Sequence, residues 1–137
     1  MKPWIFFICV LLVQHQLSAQ SLHHKIVYDL VSADTADQSA VLRQFANVLK
    51  VAPDAELELV CHGPAVYMLV SEKSFFADKM QQLKQQAQVS FKACANSMKR
   101  LGIESAQLLP TVDVVPVAIL ELSARQQQGW SYIRAGH

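Results

Sequence analysis

Apolar residues recur along most of the chain with two alternating periods, one typical of strands and one typical of helices. Short runs rich in β-branched and other apolar residues predict five strands, at residues 25–31, 56–61, 89–93, 112–115 and 130–133. Between these runs, apolar residues three or four positions apart predict helices over residues 38–52 and 76–87. Two more helices are predicted over residues 94–101 and over residues 117–127, where Pro116 suits the start and Gly129 the end. A further short helix is predicted to begin at Pro64, and Gly102 is suited to end the helix at residues 94–101.

The order of these elements predicts the fold class. Strands and helices alternate without hairpin signals, which favours a three-layer α/β/α domain with a mostly parallel sheet of about five strands, in a flavodoxin-like arrangement. The first strand is expected to lie between the second and the third. In such sheets functional groups gather beyond the carboxyl ends of the strands, which here means residues 32–37, 61–64, 94–96 and 111–116.

The N-terminus has the layout of a secretory signal peptide. Lys2 precedes an unbroken apolar run over residues 4–13, and the small pair Ser18 and Ala19 follows. The run is too short to cross a bilayer as a helix, which needs about 20 residues, although an uncleaved anchor is the alternative. We therefore predict a signal peptide at residues 1–19, a single domain at residues 20–137, a periplasmic or secreted location, and no membrane association after cleavage.

Charge and composition exclude several classes of function. The 137 residues include 12 Lys and Arg and 11 Asp and Glu, a formal net charge of +1, which argues against nucleic-acid binding. None of the 4 glycines is spaced as in a phosphate-binding loop, and there is no C-x-x-C pair. We therefore predict no cofactor and no metal.

Cys94 is the residue with the strongest chemical argument. It lies where the third strand ends and a helix begins, and backbone N–H groups at a helix N-terminus favour the thiolate form. Asn96 is a candidate to donate a hydrogen bond to that thiolate. The alternative is a small buried cysteine that fills a corner between strand and helix.

His62, which follows the second strand, is the candidate acid, base or thiolate partner. The alternative is a histidine that caps a loop through hydrogen bonds. The preceding Cys61 shares one face of its strand with Leu57 and Leu59, which places it in the core rather than beside His62.

Four segments together resemble the DsrE/DsrF-like family. The most specific is V-S-F-K-A-C-A-N-S-M-K at residues 89–99, which is similar to the family's strand, A-C-x-N-[ST]-M and short helix. The other three follow the family's order: L-V-C-H-G-P-A at residues 59–65, L-L-P with V-V-P at residues 108–116, and Q-G-W-S-Y-I at residues 128–133. The resemblance covers essentially the whole chain after the signal peptide.

This resemblance implies a three-layer α/β/α fold, oligomers that are often trimers or hexamers, and sulfur relay between proteins. By the matching segment, Cys94 takes the place of the cysteine that carries sulfur as a persulfide. Two features depart from the family: the expected export, since the known relays are cytoplasmic, and Cys61, where the family usually has an aliphatic residue.

Three functional hypotheses follow. The first is a sulfur carrier or sulfurtransferase-like protein that uses Cys94 and exchanges sulfur with a donor or acceptor protein. The second is a non-enzymatic oligomeric binding module of the same fold. The third is a periplasmic thiol-redox protein that uses Cys61 and Cys94.

Three structural expectations accompany these hypotheses. Cys94 is expected to be partly accessible, in a cleft at the carboxyl edge of the sheet. A homo-oligomer is expected because one small sheet leaves apolar residues uncovered, namely Tyr67, Met68, Phe75, Trp130 and Tyr132. No disulfide is expected between Cys61 and Cys94, because their strands would lie about 10 Å apart and their side chains would point in different directions.

Overall fold

The computed structural model describes residues 22–86 and 88–136, which form one five-stranded sheet with helices on both faces. The strands are β1 Lys25–Leu30, β2 Glu56–Cys61, β3 Gln88–Cys94, β4 Val112–Val115 and β5 Ser131–Ala135. The α-helices are α1 Thr35–Val51, α2 Ala77–Gln86, α3 Ala95–Leu101 and α4 Ala118–Gln127. Two short 3₁₀ segments, Gly63–Leu69 and Ser105–Gln107, complete the described elements.

The predicted elements are all present, and their ends differ where local capping decides them. α1 begins at Thr35 rather than Gln38, because the Asp34 carboxylate accepts the N–H of Ala36 at 2.8 Å and caps the helix. α3 ends as predicted at Gly102, whose φ of +67° is the left-handed conformation that glycine adopts easily. The β5 strand starts one residue later than predicted and continues to Ala135.

All strand pairs are parallel, which confirms the predicted fold class, but the expected position of β1 is wrong. The order is β4-β3-β2-β1-β5, so β2, not β1, lies between β1 and β3. Each strand from β1 to β3 pairs with the next strand along the chain. The chain then returns across the whole sheet, so that β5 pairs with β1.

This strand order explains how the helices are divided between the two faces. Right-handed crossovers that all step in one direction place their helices on one face, and a step in the reverse direction uses the other face. α1, α2 and α3 therefore pack on one face, here called the α1–α3 face, and contribute Phe45, Met80 and Met98 to its core. α4 lies alone on the other face, the α4 face.

The α1–α3 face holds most of the core. Tyr28, Phe45 and Phe91 form a continuous aromatic cluster there, with ring centroids 5.0 and 6.4 Å apart. Met68 was expected to be uncovered, but it is only 2% exposed and belongs to the core of the α1–α3 face, so that expectation is wrong. The 3₁₀ segment Gly63–Leu69 carries it inward, because its apolar side chains face the sheet.

The α4 face has a smaller apolar core, formed by Val27, Val60, Cys94, Ala118 and Leu122 with Trp130 against it.

The N-terminal signal peptide predicted at residues 1–19 lies outside the described residues. Among the residues that the structure does describe, no helix has the length and apolar character needed to cross a membrane.

Candidate functional site

The site forms where the chain leaves β3 and β4 in opposite directions. The segment after β3 enters α3 on one face, and the segment after β4 enters α4 on the other. In parallel sheets a crevice opens at such a switch point, beyond the carboxyl ends of the two strands. Cys94, the last residue of β3 and the N-cap of α3, lies at this point, so its predicted place at a helix N-terminus is confirmed.

The sulfur of Cys94 meets the beginnings of both helices. The N–H of Ala118, the first residue of α4, donates to Cys94 Sγ at 3.3 Å. The chain around Cys94 is linked to the same segment, because the N–H of Asn96 donates to the carbonyl of Pro116 at 3.3 Å. Two helix N-termini therefore converge on one thiol.

These contacts decide the charge state that the thiol prefers. Burial acts to raise the pKa of Cys94, but the N–H groups of Ala118, Ser97 and Asn96 and the hydroxyl of Ser97 outweigh it. The pKa of Cys94 is consequently lowered from its ordinary value of 9.0. Sulfur at this position is therefore held closer to the thiolate, the form that attacks other sulfur atoms.

The expected partial accessibility of Cys94 is wrong for the single chain. Cys94 is 3% exposed, because the segment from Pro116 to Ala118 folds over its sulfur. The neighbouring residues Asn96, Pro116 and Val117 are all exposed. The thiol is thus buried against the start of α4, next to exposed residues.

Ser97 provides a buried hydroxyl that the sequence did not single out as part of this site. It is 4% exposed, and its Oγ accepts the N–H of Gly63 at 2.9 Å. Because Gly63 occupies one side of that oxygen, the hydroxyl hydrogen is left for Cys94, whose pKa it lowers. The amide of Asn96 was the predicted donor, but in the described contacts only the backbone N–H of Asn96 serves the thiolate.

Gly63 connects the Cys94 site to the end of β2. Its φ is +54°, and a Cβ there would come within 3.2 Å of Val31 Cγ1. Glycine is therefore favoured at this turn, because a side chain there would strain the backbone and crowd Val31. The turn directs the N–H of Gly63 toward Ser97.

His62 belongs to a hydrogen-bonded row across three strands. Its Nε2 lies 2.8 Å from Oδ1 of Asp29, and the hydroxyl of Tyr132 donates to Oδ2 of Asp29 at 2.7 Å. Asp29 is 7% exposed and lies on β1 between the other two residues. The hydrogen bond to Asp29 raises the pKa of Tyr132 from its ordinary value of 10.0.

The strand register places His62 level with Cys94, and the structure records no hydrogen bond between the two side chains. Cys61 pairs with Ala93 in the parallel register of β2 and β3, so the next residue on each strand is also level. Both residues have extended backbones, and both follow residues that face the α1–α3 core. Both therefore face the α4 side, on strands about 4.8 Å apart.

Cys61 does not share the environment of Cys94. It is fully buried among the apolar side chains of the α1–α3 face, as predicted from its alignment with Leu57 and Leu59. Burial, and secondarily the Asp29 carboxylate, raise the pKa of its thiol far above the ordinary value. This thiol is therefore uncharged and unreactive at neutral pH.

Both cysteines are free, as expected, but the physical reason differs from the predicted one. β2 and β3 are neighbours, so distance between strands does not separate Cys61 from Cys94. They are separated because successive residues of a strand point to opposite faces. Cys61 lies in the α1–α3 core and Cys94 in the α4 core.

Four residues of the candidate site and of the adjoining hydrogen-bonded row were not predicted from the sequence: Ser97, Asp29, Tyr132 and Ala118. Asp29 carried a usable signal, since a charged residue near the end of an otherwise apolar strand is unusual. Ala118 and Tyr132 carried none, because a backbone N–H has no residue preference and Tyr132 lies 103 positions from Asp29.

No group of His, Cys, Asp and Glu that could hold a metal ion occurs among residues 22–86 and 88–136. An apolar groove of about 450 Å³ lies at the opposite, amino edge of the sheet, lined in part by Ile26, Val48 and Val51. His24 and Asn47 also line this groove.

Comparison with known proteins shows which family and which solved structures this chain is similar to. The sequence model of the DsrE/DsrF-like family matches residues 25–135. The protein of unknown function MTH1491 from Methanobacterium thermoautotrophicum has a similar structure, with a TM-score of 0.76 and 26% identity over 81% of this chain and 98% of that one. No curated protein sequence matches the chain significantly.

Two further solved structures share the fold. The YchN protein from E. coli has a TM-score of 0.66 and 16% identity, over 82% of this chain and 99% of that one. The conserved protein of unknown function BT1422 from Bacteroides thetaiotaomicron has a TM-score of 0.62 and 12% identity, over 80% of this chain and 93% of that one.

Proposed function

Because this chain belongs to the DsrE/DsrF-like family, a family of the sulfur-relay type, we propose that it carries sulfur as a persulfide on Cys94. The observation that supports this proposal is the convergence of two helix N-termini on Cys94 Sγ, which lowers the pKa of the thiol. Cys61, one register step away, has the opposite shift. The fold therefore favours a thiolate at one of the two positions only.

The proposed reaction moves one sulfur atom from a persulfide donor, R–S–SH. The thiolate of Cys94 attacks the outer sulfur, a new S–S bond forms, and the S–S bond of the donor breaks. The donor's inner sulfur leaves with the electron pair as R–S⁻, and the transferred sulfur keeps its hydrogen. Neither partner needs an external oxidant or reductant, because one sulfane sulfur replaces another.

Mass spectrometry of the intact protein tests this proposal directly. After incubation with a small-molecule persulfide, the protein should gain the mass of one sulfur atom, and peptide mapping should locate the added sulfur at Cys94. The Cys94→Ala variant should gain nothing, whereas Cys61→Ala, the matched control, should behave as the wild type. Sulfur uptake that is unchanged in Cys94→Ala would refute the assignment.

The binding-module hypothesis remains the second candidate, because Cys94 is only 3% exposed in the single chain. A thiol that no donor can reach would serve packing alone. In that case Cys94→Ala would keep every property of the protein except a small loss of stability. The thiol-redox hypothesis has less support, since the two thiols face opposite sides of the sheet.

We also propose that the protein forms a homo-oligomer, a trimer or a hexamer, through the α4 face. α4 exposes apolar side chains at its beginning: Ile119 is 60% and Leu120 is 65% exposed. Val117 and Tyr132, on the same side of the sheet, are also exposed. A second copy seated on these residues would lie beside the segment that covers Cys94.

The proposed location follows from the sequence of residues 1–19, which we propose to be a cleaved signal peptide. The mature protein would then begin at Gln20 and occur in the periplasm or outside the cell. N-terminal sequencing of the protein from cell fractions tests this: a cytoplasmic protein that retains Met1 would contradict export.

A further inference from the structure

The row formed by His62, Asp29 and Tyr132 lies beside the strand end that carries Cys94, and the proposed sulfur transfer does not involve it. Asp29 and His62 lie at the carboxyl ends of β1 and β2, Tyr132 lies near the start of the adjacent β5, and all three side chains are on the same face as Cys94. A buried carboxylate held by two side chains from two other strands is a specific arrangement. Such a carboxylate fixes the position of the His62 ring and determines which of its nitrogens carries hydrogen.

The contacts determine which nitrogen of His62 carries hydrogen. Tyr132 donates to one oxygen of Asp29, and the carboxylate itself has no hydrogen to give, so the contact at the other oxygen needs the hydrogen of His62 Nε2. The neutral ring therefore has a bare Nδ1. Within residues 22–86 and 88–136, no hydrogen bond involves that nitrogen, which leaves it available to accept a proton.

Two independent links join His62 to Cys94. The first is register: the two residues are level on neighbouring strands and face the same side of the sheet. The second is a chain of hydrogen bonds, in which Gly63, the residue after His62, donates to Ser97 Oγ at 2.9 Å, and Ser97 in turn stabilises the Cys94 thiolate. His62 is thus positioned by the same turn that completes the thiol's surroundings.

We infer that His62 transfers the proton during sulfur exchange at Cys94, and that Asp29 and Tyr132 are the positioning residues that hold it. This inference rests on the proposed function. His62 takes the proton of the Cys94 thiol, which leaves a thiolate and an imidazolium. After the thiolate has attacked the outer sulfur of R–S–SH, the imidazolium gives its proton to the departing R–S⁻. The products are Cys94–S–SH, R–SH and neutral His62, so atoms and charges balance.

If His62 gives a proton to the departing thiolate, the effect of removing His62 on the transfer rate should depend on how basic that thiolate is. An alkyl thiolate is a strong base and leaves with difficulty unless it is protonated. An aryl thiolate is a weak base and leaves without a proton. Removal of His62 should therefore slow transfer from an alkyl persulfide much more than transfer from an aryl persulfide.

The experiment compares the rates at which Cys94 forms a persulfide with one alkyl and one aryl persulfide as donors. Mass spectrometry of the full-length protein at timed intervals measures these rates. His62→Gln keeps an N–H donor for Asp29 but cannot transfer a proton, and should lose about 100-fold with the alkyl donor and much less with the aryl donor. Tyr132→Phe should lose about fivefold with the same selectivity. His24→Gln, an exposed histidine before β1, is the matched control and should react as the wild type.

The outcomes separate this inference from the proposed function. Equal losses with both donors, or no loss with either, would show that His62 has only a structural role and would overturn the inference. A wild-type protein that gains no sulfur from either donor would overturn the proposed function, and the inference with it. If His62→Gln does not fold, as judged by circular dichroism, Tyr132→Phe decides the question, because it removes a single hydroxyl from an exposed residue of the edge strand.

Discussion

Two cysteines that occupy almost the same level of the sheet have opposite chemical properties. Cys61 faces the apolar α1–α3 core, where burial favours the neutral thiol. Cys94 faces the α4 side, where backbone N–H groups and the hydroxyl of Ser97 favour the thiolate. The difference arises mainly from the pleat of two neighbouring strands, and the Asp29 carboxylate adds to it as a secondary cause at Cys61.

The first prediction concerns the reactivity of the two thiols. Alkylation of Cys94 by iodoacetamide should follow a pH profile with a midpoint below 9.0, because its pKa is lowered from that value. Cys61 should stay unmodified until the protein is unfolded in urea, because it is buried and its pKa is raised. Peptide mapping after timed alkylation measures both rates, and similar rates for the two cysteines would contradict the assignment.

The second prediction concerns Ser97. Ser97→Ala removes a hydrogen bond to a charged group, worth about 1.5 kcal/mol, which corresponds to about one pKa unit. The alkylation profile of Cys94 should shift upward in pH by that amount. The variant should also lose about 1–3 kcal/mol of unfolding free energy, since the N–H of Gly63 is left without its partner.

The matched control for this experiment is Ser71→Ala, which changes an exposed serine far from Cys94 in the sequence. It should leave both the alkylation profile and the unfolding free energy as in the wild type. An unshifted profile in Ser97→Ala would mean that the backbone N–H groups alone stabilise the thiolate.

At the level of elements, a buried ion pair holds α4 against the sheet. Glu58 of β2 is fully buried, and both its oxygens accept from Arg125 of α4, at 3.0 and 2.8 Å. Arg125 also lies over the ring of Trp130, with 4.8 Å between the guanidinium carbon and the ring centroid. Because the beginning of α4 supplies the N–H to Cys94, this anchor also helps to position the candidate site.

The third prediction is that Arg125→Met destabilises the protein by about 3 kcal/mol at neutral pH, because it leaves the buried Glu58 carboxylate without its cation. Urea unfolding followed by circular dichroism measures this loss. The matched control is Arg43→Met, an exposed arginine of α1, which should change the unfolding free energy by less than about 0.5 kcal/mol.

This loss should depend on pH in a defined direction. Burial raises the pKa of Glu58 above its ordinary value of 4.5, despite the hydrogen bonds from Arg125 and Ser90 that act to lower it. A group whose pKa is raised by folding binds more protons in the folded state, so stability falls as pH rises from 4.5 through the raised pKa. Without Arg125 this pKa rises further, so the deficit of Arg125→Met should be small below pH 4.5 and largest at neutral pH. A deficit that is constant with pH would contradict this account.

At the level of the whole molecule, one helix has to cover one face of a five-stranded sheet. α4 covers the centre of that face, and its own outward side chains Ile119 and Leu120 remain exposed. Exposed apolar side chains of this size on neighbouring positions are typical of contact surfaces between subunits. The proposed oligomer therefore follows from the topology, which leaves a single helix for the return crossing.

The fourth prediction is that the double substitution Ile119→Asp and Leu120→Asp yields a monomer. Each buried side chain of this size contributes about 1.5–3 kcal/mol, so the dissociation constant should rise by at least about 100-fold. Sedimentation velocity measures the change. Phe75→Asp is the matched control, because Phe75 is 83% exposed but lies before α2 on the other side of the sheet. A wild-type protein that is monomeric at micromolar concentration would contradict the proposal.

What the sequence determined by itself is the local structure. Local patterns identified the five strands and four α-helices of residues 22–86 and 88–136, though not the 3₁₀ segment Ser105–Gln107, because a side chain's burial in an element depends on spacing within a few residues. β2 and β4 have the predicted bounds, and Cys94 lies at the predicted junction of strand and helix. These features depend on neighbours along the chain, which the sequence contains directly.

Which residues meet at the site depends on how the strands and helices pack. Strand order placed β2 beside β3 and β5 beside β1, and no local pattern encodes that order. The N–H of Ala118 reaches a sulfur 24 positions earlier, and Tyr132 reaches Asp29 across 103 positions. Because successive residues of a strand face opposite sides, Cys61 and Cys94 lie on different faces of the sheet, whereas His62 faces the same side as Cys94. The physical reason is that these contacts depend on the order and facing of strands, which emerge from the packing of the whole chain.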